Sequence, residues 1–289
     1  WAARHSNTVR RALRQNAIDA SGNGCFGRMA LISPPLDTPA QVALSTVAEP
    51  GVGAYRDGRT VYCYVGANTF VPLIGRRGLS GGAGFTADGT IDQTSDGWMA
   101  TILSQLPPEE NPGQDTPFAG NVNSIERGAN VQDFEMGDYT AFKAAGIAAL
   151  RFDGDAGTAI FQSGVTSVDP LVNPGLVRIA RRRMADFIQD SVSKFASGFG
   201  KKLGTFRRKK AVSTGINGFL AGLLGANSPG SQRIAGYTPC VDQTTPVQAG
   251  QGIFRLKVSV QTLTSLDYIV LETEIGDSVS VTTTLPQAA

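Results

Sequence analysis

Between residues 8 and 161 helical and strand-like patterns alternate, and after Pro170 and Pro174 the alternation stops. This change of pattern constrains the fold more than any single motif, because strands separated by helices close into a sheet with helices layered on it. Residues 8–20 place Val9, Ala12, Leu13, Ala17 and Ile18 at helical spacing. Ser21-Gly22-Asn23-Gly24 ends that helix, and residues 25–33 read as a buried strand closed by Pro34-Pro35. A short helix over 38–48, with Pro39 near its first turn, and a β-branched and aromatic strand over 60–65 (TVYCYV) follow. A glycine-rich loop spans 75–84. Ser95 is placed to cap a helix carrying Trp98, Ile102 and Leu106, which Pro107-Pro108 stops. Residues 122–126 are a weak strand. Residues 138–145 form a helix with Gly146 at its C-terminal cap, and two short strands, 148–152 and 158–161, flank the Asp153-Gly154-Asp155 turn.

Beyond Pro174 the pattern is first helical and then all strand. Residues 177–195 form an amphipathic helix with Val177, Ala180, Met184, Phe187, Ile188 and Val192 on one face. A basic loop from Gly200 to Lys210 leads into a second helix bearing Ile216, Phe219, Leu220, Leu223 and Leu224. Phe254, Leu256, Val258 and Val260 then alternate with Arg255, Lys257 and Ser259. Residues 267–275 follow a turn and complete a hairpin over 253–275. A third alternating piece, 278–283, lies beyond Gly276-Asp277.

Charge is unevenly distributed. Residues 1–177 carry 12 basic and 17 acidic side chains, residues 178–210 carry 11 and 2, and residues 211–289 carry 3 and 5. One basic block therefore sits in an otherwise acidic chain, and its expected partner is anionic. Arg181, Arg182 and Arg183 fall on the polar side of the amphipathic helix; Lys201, Lys202, Arg207, Arg208, Lys209 and Lys210 fall on the loop. An anionic protein surface, a solvated face and nucleic acid are the three readings of this block. Counterion release would drive nucleic-acid binding, but only Phe206 is interleaved with the loop as a stacking aromatic, and no reader motif accompanies it.

Catalysis finds little support. His5 is the only histidine, which removes most acid–base and metal chemistry. Gly78-Leu79-Ser80-Gly81-Gly82 matches G-x-S-x-G, but the elbow needs a histidine after the serine and a helix where further glycines stand. Gly198-Phe199-Gly200-Lys201 fails as a phosphate loop, with Phe195 in place of the first glycine and Lys202 in place of Ser/Thr. Asp153 and Asp155 lack the other ligands of a calcium loop. Glu109-Glu110 reads as a solvated helix end. Cys25, Cys63 and Cys240 have no zinc-like spacing; small buried side chains and a cross-link between copies both remain open. No cofactor is expected. No apolar run reaches the ~18 residues of a membrane helix. Trp1-Ala2-Ala3-Arg4 opens directly into a charged segment without a secretory signal, and an upstream segment is expected because the first residue is not Met.

Three stretches resemble the contractile tail sheath proteins of bacteriophages and related injection systems. The first is residues 95–114, SDGWMATILSQLPPEENPGQ, a helix and a proline-rich loop. The second is residues 139–152, YTAFKAAGIAALRF, similar to the family's Gly-Ile-Asn helix and strand except that Ala148 replaces the Asn. The third is the order of a basic helix, a second helix and a closing hairpin. The resemblance implies an α/β, subtilisin-like but non-catalytic domain over 1–170. It implies a C-terminal α+β domain over 171–289, with a tube-facing basic helix and loop and a terminal antiparallel hairpin. It further implies hexameric rings stacked helically around a tail tube, with baseplate and tail terminator proteins at the ends. The subunit would be made in the bacterial host cytoplasm and end in the virion tail, driving the tube through the cell envelope without membrane insertion. Tube contacts fall to Arg181, Arg182, Lys201, Lys202, Arg207, Arg208, Lys209 and Lys210. Phe254, Leu256, Val258, Ile269 and Leu271 form the receiving hairpin, and Ser278, Val279, Ser280, Val281, Thr282 and Thr283 form the strand donated to a neighbour. The alternative is a non-contractile virion protein that binds nucleic acid through 178–210.

Overall fold

The computed structural model describes residues 7–23, 27–35, 38–48, 56–66, 69–72, 92–93, 95–113, 126–127, 134–153, 158–225 and 232–263. In chain order the elements are α1 (Asn7–Gly22), β1 (Ala30–Ile32), α2 (Ala40–Ala48), β2 (Thr60–Tyr64), β3 (Thr69–Pro72), β4 (Asp92–Gln93), α3 (Ser95–Gln105), β5 (Glu126–Arg127), α4 (Met136–Ala145), β6 (Ile147–Asp153) and β7 (Thr158–Phe161). A single 3₁₀ turn, Pro174–Leu176, precedes α5 (Ile179–Ser197), α6 (Phe206–Leu223), β8 (Ile234–Tyr237), β9 (Val241–Asp242), α7 (Pro246–Gly250), β10 (Leu256–Lys257) and β11 (Val260–Thr262).

The central sheet has the order β1-β2-β6-β7, with β1, β2 and β6 parallel and β7 antiparallel at the edge. All five residues of β2 are buried, as a strand covered on both faces requires. Val61 and Cys63 pack with Trp98, Met99 and Ile102 of α3 on one face. Tyr62 and Tyr64 pack with Ala43 and Val47 of α2 and Tyr139 and Phe142 of α4 on the other. The alternation expected from the sequence is thus a three-layer α/β arrangement. A small antiparallel sheet, β4-β3-β5, lies between β2 and β6 in sequence.

Local chemistry sets the ends of these elements. The α4 helix begins with a reciprocal capping box, Glu135 with Asp138, and ends at Gly146. Gly146 has φ 76°, and a Cβ there would lie 2.9 Å from the Ser167 backbone, so only glycine fits. The Ser95 cap does not form. The Asp96 N–H donates instead to Ser33 Oγ at 3.1 Å, and the buried Ser95 hydroxyl has no partner among the described residues. Strand β1 is shorter than residues 25–33, and residues 24–26, with Cys25, lie outside the described set. So do His5, Ser80 and the Asp155 turn.

One expectation for the C-terminal third is corrected. The basic loop stops at Thr205, because Thr205 Oγ1 accepts the Arg208 N–H and starts α6 there; Arg207, Arg208, Lys209 and Lys210 are helical. Arg and Lys are good helix formers, so nothing in them resists the extension. The strand over 254–260 does alternate as expected, with Phe254, Leu256, Val258 and Val260 half-buried against α5 and α6 and Arg255, Lys257 and Ser259 exposed. Upstream strands pair with it: β10 lies antiparallel to β9, and β11 to β8. The other hairpin arm, 267–275, and the strand 278–283 lie outside the described residues.

Candidate functional site

The basic block divides into a structural half on α5 and a surface half around the start of α6. Three consecutive helical residues point about 100° apart, so the arginine triplet cannot share one face. Arg182 donates to Asp186 Oδ1 at 2.8 Å, and Arg59, just before β2, donates to both Asp186 oxygens at 2.8 Å. Burial pushes the Asp186 carboxyl above its ordinary range, against the pull of Arg59. Arg183 reaches the end of α3 and donates to the carbonyls of Leu103 (2.8 Å), Leu106 (2.9 Å) and Pro107 (3.2 Å). Burial lowers its pKa, and the nearby Glu109 charge opposes that shift.

A second tether runs alongside. Arg233, just before β8, donates to Glu109 through Nε at 2.5 Å and a terminal nitrogen at 2.6 Å, and lies over the Phe187 ring of α5 at 5.0 Å. Partial burial works against Glu109, but the Arg233 hydrogen bonds and the charges of Arg233 and Arg183 outweigh it and hold the carboxyl below its usual value. Glu109 is therefore an ion-pair partner and not a solvated helix end. Arg59, Asp186 and Arg233 escaped the sequence reading, which placed Arg183 on the polar side of its helix and did not foresee its carbonyl contacts or the Glu109 ion pair. The one local signal was Asp186, four residues after Arg182 on the same helix face.

The surface half is different. Among the described residues Lys201, Lys202, Arg207, Arg208, Lys209 and Lys210 make no ion pair with a carboxylate. Arg208 donates to the Leu203 carbonyl at 3.0 Å. Lys202 lies over Phe199 at 5.9 Å and Lys209 over Phe254 at 5.2 Å. Arg207, Arg208 and Lys209 occupy the first turn of α6, with Lys210 directly after it, where the helix dipole is positive. A cation there is disfavoured by about 0.3–1 kcal/mol, a cost that an anionic partner relieves.

Four of these cations line a groove of about 650 Å³ between the end of α5, the start of α6 and the 249–256 segment. Its lining combines Phe199, Leu203, Val212, Ile216, Phe254 and Leu256 with Lys201, Lys202, Arg208 and Lys209. Leu203 is 78% exposed and Phe206 82%. Of the expected hairpin, Phe254 and Leu256 line this groove and Val258 packs against the same helices. Ile269, Leu271 and residues 278–283 lie outside the described set. Arg181 is half-buried.

Nothing here forms a reaction centre among the described residues. They contain no cluster of metal-ligating side chains. No described helix is long and apolar enough to cross a membrane. Burial, and to a lesser degree nearby carboxylates, pushes both the Cys63 and the Cys240 thiol up, away from the reactive thiolate.

No family model and no curated protein matches the sequence. Solved structures do match the fold. A chain of the anti-feeding prophage baseplate, 6-fold symmetrised, aligns with a TM-score of 0.66 at 14% identity, over 94% of this chain and 66% of that one. A chain of the anti-feeding prophage helical sheath in its contracted state aligns at 0.64 and 14% identity, over 92% and 66%. The PVC sheath complex of an extracellular contractile injection system, also contracted, aligns at 0.62 and 14%, over 86% and 64%. The chain thus has the fold found in contractile injection system sheaths and baseplates, and it spans about two thirds of the length of these matching chains.

Proposed function

We propose that this chain is a structural subunit of a contractile sheath, stacked in six-fold rings around an inner tube and driving that tube through a cell envelope when it contracts. The observation that carries this reading is the fold shared over 92% of the chain with a helical sheath in its contracted state. The role is mechanical and uses no cofactor. The energy of contraction resides in subunit packing, with the extended arrangement metastable and the contracted one lower.

The exposed cations of the loop and α6, chiefly Lys201, Lys202, Arg207, Arg208, Lys209 and Lys210, face an acidic tube surface. The lack of a carboxylate ion pair among the described residues, and the place of Arg207, Arg208 and Lys209 at the positive end of α6, favour an anionic partner. Exposed ion pairs are worth only about 0–1 kcal/mol each, so such a contact holds the tube yet releases it in a concerted step. Arg182 and half-buried Arg181 contribute less to this surface, Arg182 being already engaged by Asp186. Between subunits, residues 278–283 act as a strand donated to a neighbour. The neighbour receives it on the sheet that includes Phe254, Leu256 and Val258 together with Ile269 and Leu271. Residues 1–170 and 171–289 serve as the outer α/β unit and the tube-side unit.

The test is negative-stain microscopy of the concentrated full chain and of a chain ending at Gly276. Hollow tubes or rings from the first and dispersed particles from the second are expected. Dispersed particles from both would remove strand donation as the joint. DNA retention that falls steeply with salt would reassign the basic face to nucleic acid.

A further inference from the structure

We propose that the small pocket where the carboxyl ends of β1 and β2 meet the start of α3 is a binding site for one water molecule, held between the Ser95 and Ser33 hydroxyls. The site does not depend on the assembly reading above. Ser33 and Pro34 follow β1, Cys63 and Gly66 mark the end of β2, and Ser95 opens α3; all of them line the pocket. Its volume of about 10 Å³ is close to that of one water-sized sphere, so an organic ligand does not fit. Ser95 is 0% exposed, and its hydroxyl has no partner among the described residues. A hydroxyl taken out of water without a replacement hydrogen bond is costly. Ser33 is 4% exposed; its carbonyl accepts from Arg10 at 3.0 Å and its Oγ accepts the Asp96 N–H at 3.1 Å. A serine hydroxyl donates one hydrogen bond and accepts two, so the Ser33 side chain retains capacity for a second partner.

The surrounding charges select water over an ion. The described lining carries no Lys, Arg or His. An anion would gain from the first-turn amides of α3 but would face the buried Asp96 carboxylate beside them. The Cys63 thiol of the lining, raised mainly by burial, also feels the Asp96 charge. A cation would gain from Asp96 but would meet the positive end of α3. A neutral molecule that both donates and accepts escapes both penalties and can bridge two hydroxyls. Bound there, the water supplements the Asp96–Ser33 hydrogen bond and fastens the first turn of α3 to the ends of β1 and β2.

The experiment counts the long-lived internal waters of the purified full chain by magnetic relaxation dispersion of the water oxygen. The count is repeated for Ser95→Val, which removes the hydroxyl and fills the pocket with a methyl, and for Ser104→Ala, an exposed serine of the same helix. One water fewer is expected in Ser95→Val and an unchanged number in Ser104→Ala. Equal counts in the unaltered chain and in a folded Ser95→Val overturn the proposal. If Ser95→Val does not fold, a high-resolution crystal structure of the unaltered chain decides. A single water within hydrogen-bond distance of both Ser95 Oγ and Ser33 Oγ supports the site; an empty pocket, an ion or a protein atom in that place overturns it.

Discussion

Replacing Arg183 with Met tests whether the α5 arginines bind the two parts of the chain together. Met keeps an apolar stem in place of the arginine stem, so the change removes three hydrogen bonds and a charge with little change in packing. The acceptors are the last carbonyls of α3 and the Pro107 carbonyl after it, at 2.8–3.2 Å. Hydrogen bonds from a charged donor contribute about 1.5–3 kcal/mol each when well buried, and less when partly solvated as here. Orphaning the Leu106 carbonyl in a buried residue and removing the cation at the negative end of α3 act in the same direction. The expected loss is about 3 kcal/mol. For a chain of this size that is a fall of about 6–12 °C in Tm. Arg183→Lys keeps the charge but cannot fork to three acceptors, and should recover about a third of the loss. Urea titration followed by fluorescence of Trp98, on α3, reads the change directly. A loss below about 1 kcal/mol for Arg183→Met, or full recovery by Lys, would refute the reasoning.

The Glu109–Arg233 pair gives a pH signature: its contribution is present above the ordinary Glu pKa and is lost as pH falls through the lower folded value. Glu109→Gln should flatten the acid limb of a stability-against-pH curve measured by urea titration, and an unchanged slope would count against the pair. Gly146→Ala places a Cβ 2.9 Å from Ser167 in a left-handed backbone, and should cost about 2–3 kcal/mol in chemical denaturation. Thr205→Ala removes the α6 cap, with an expected cost of about 1 kcal/mol and faster amide exchange at residues 206–209. Exchange rates unchanged at those amides would mean that the first turn is held by something other than its cap.

How much of this was legible in the sequence follows from the range of the interactions involved. The period of TVYCY identifies β2, and its lack of polar positions already signals burial on both faces. Gly146 announces the end of α4 because only one backbone conformation makes a glycine useful there. These are local signals. The Ser33 hydroxyl that receives the first turn of α3 sits 63 residues from its donor, and the Arg183 carbonyl contacts span 76 to 80 residues. Arg233 and Glu109 are 124 apart. No periodicity reports such pairings. The strand at 254–260 shows the same division: its alternation fixed which side chains face α5 and α6, but alternation carries no information on the pairing with β8 and β9.

The charge count treated 178–210 as one block because a count ignores where side chains point. In the fold the same residues have two opposite uses. On α5, Arg182 is engaged by the Asp186 carboxylate and Arg183 by carbonyls of the preceding part of the chain. Around the start of α6 the cations have no such partner among the described residues and face a helix end that repels them. A helix that carries three cations in its first turn and a fourth directly after is less stable alone than one with acids there, a cost that an anionic partner would offset.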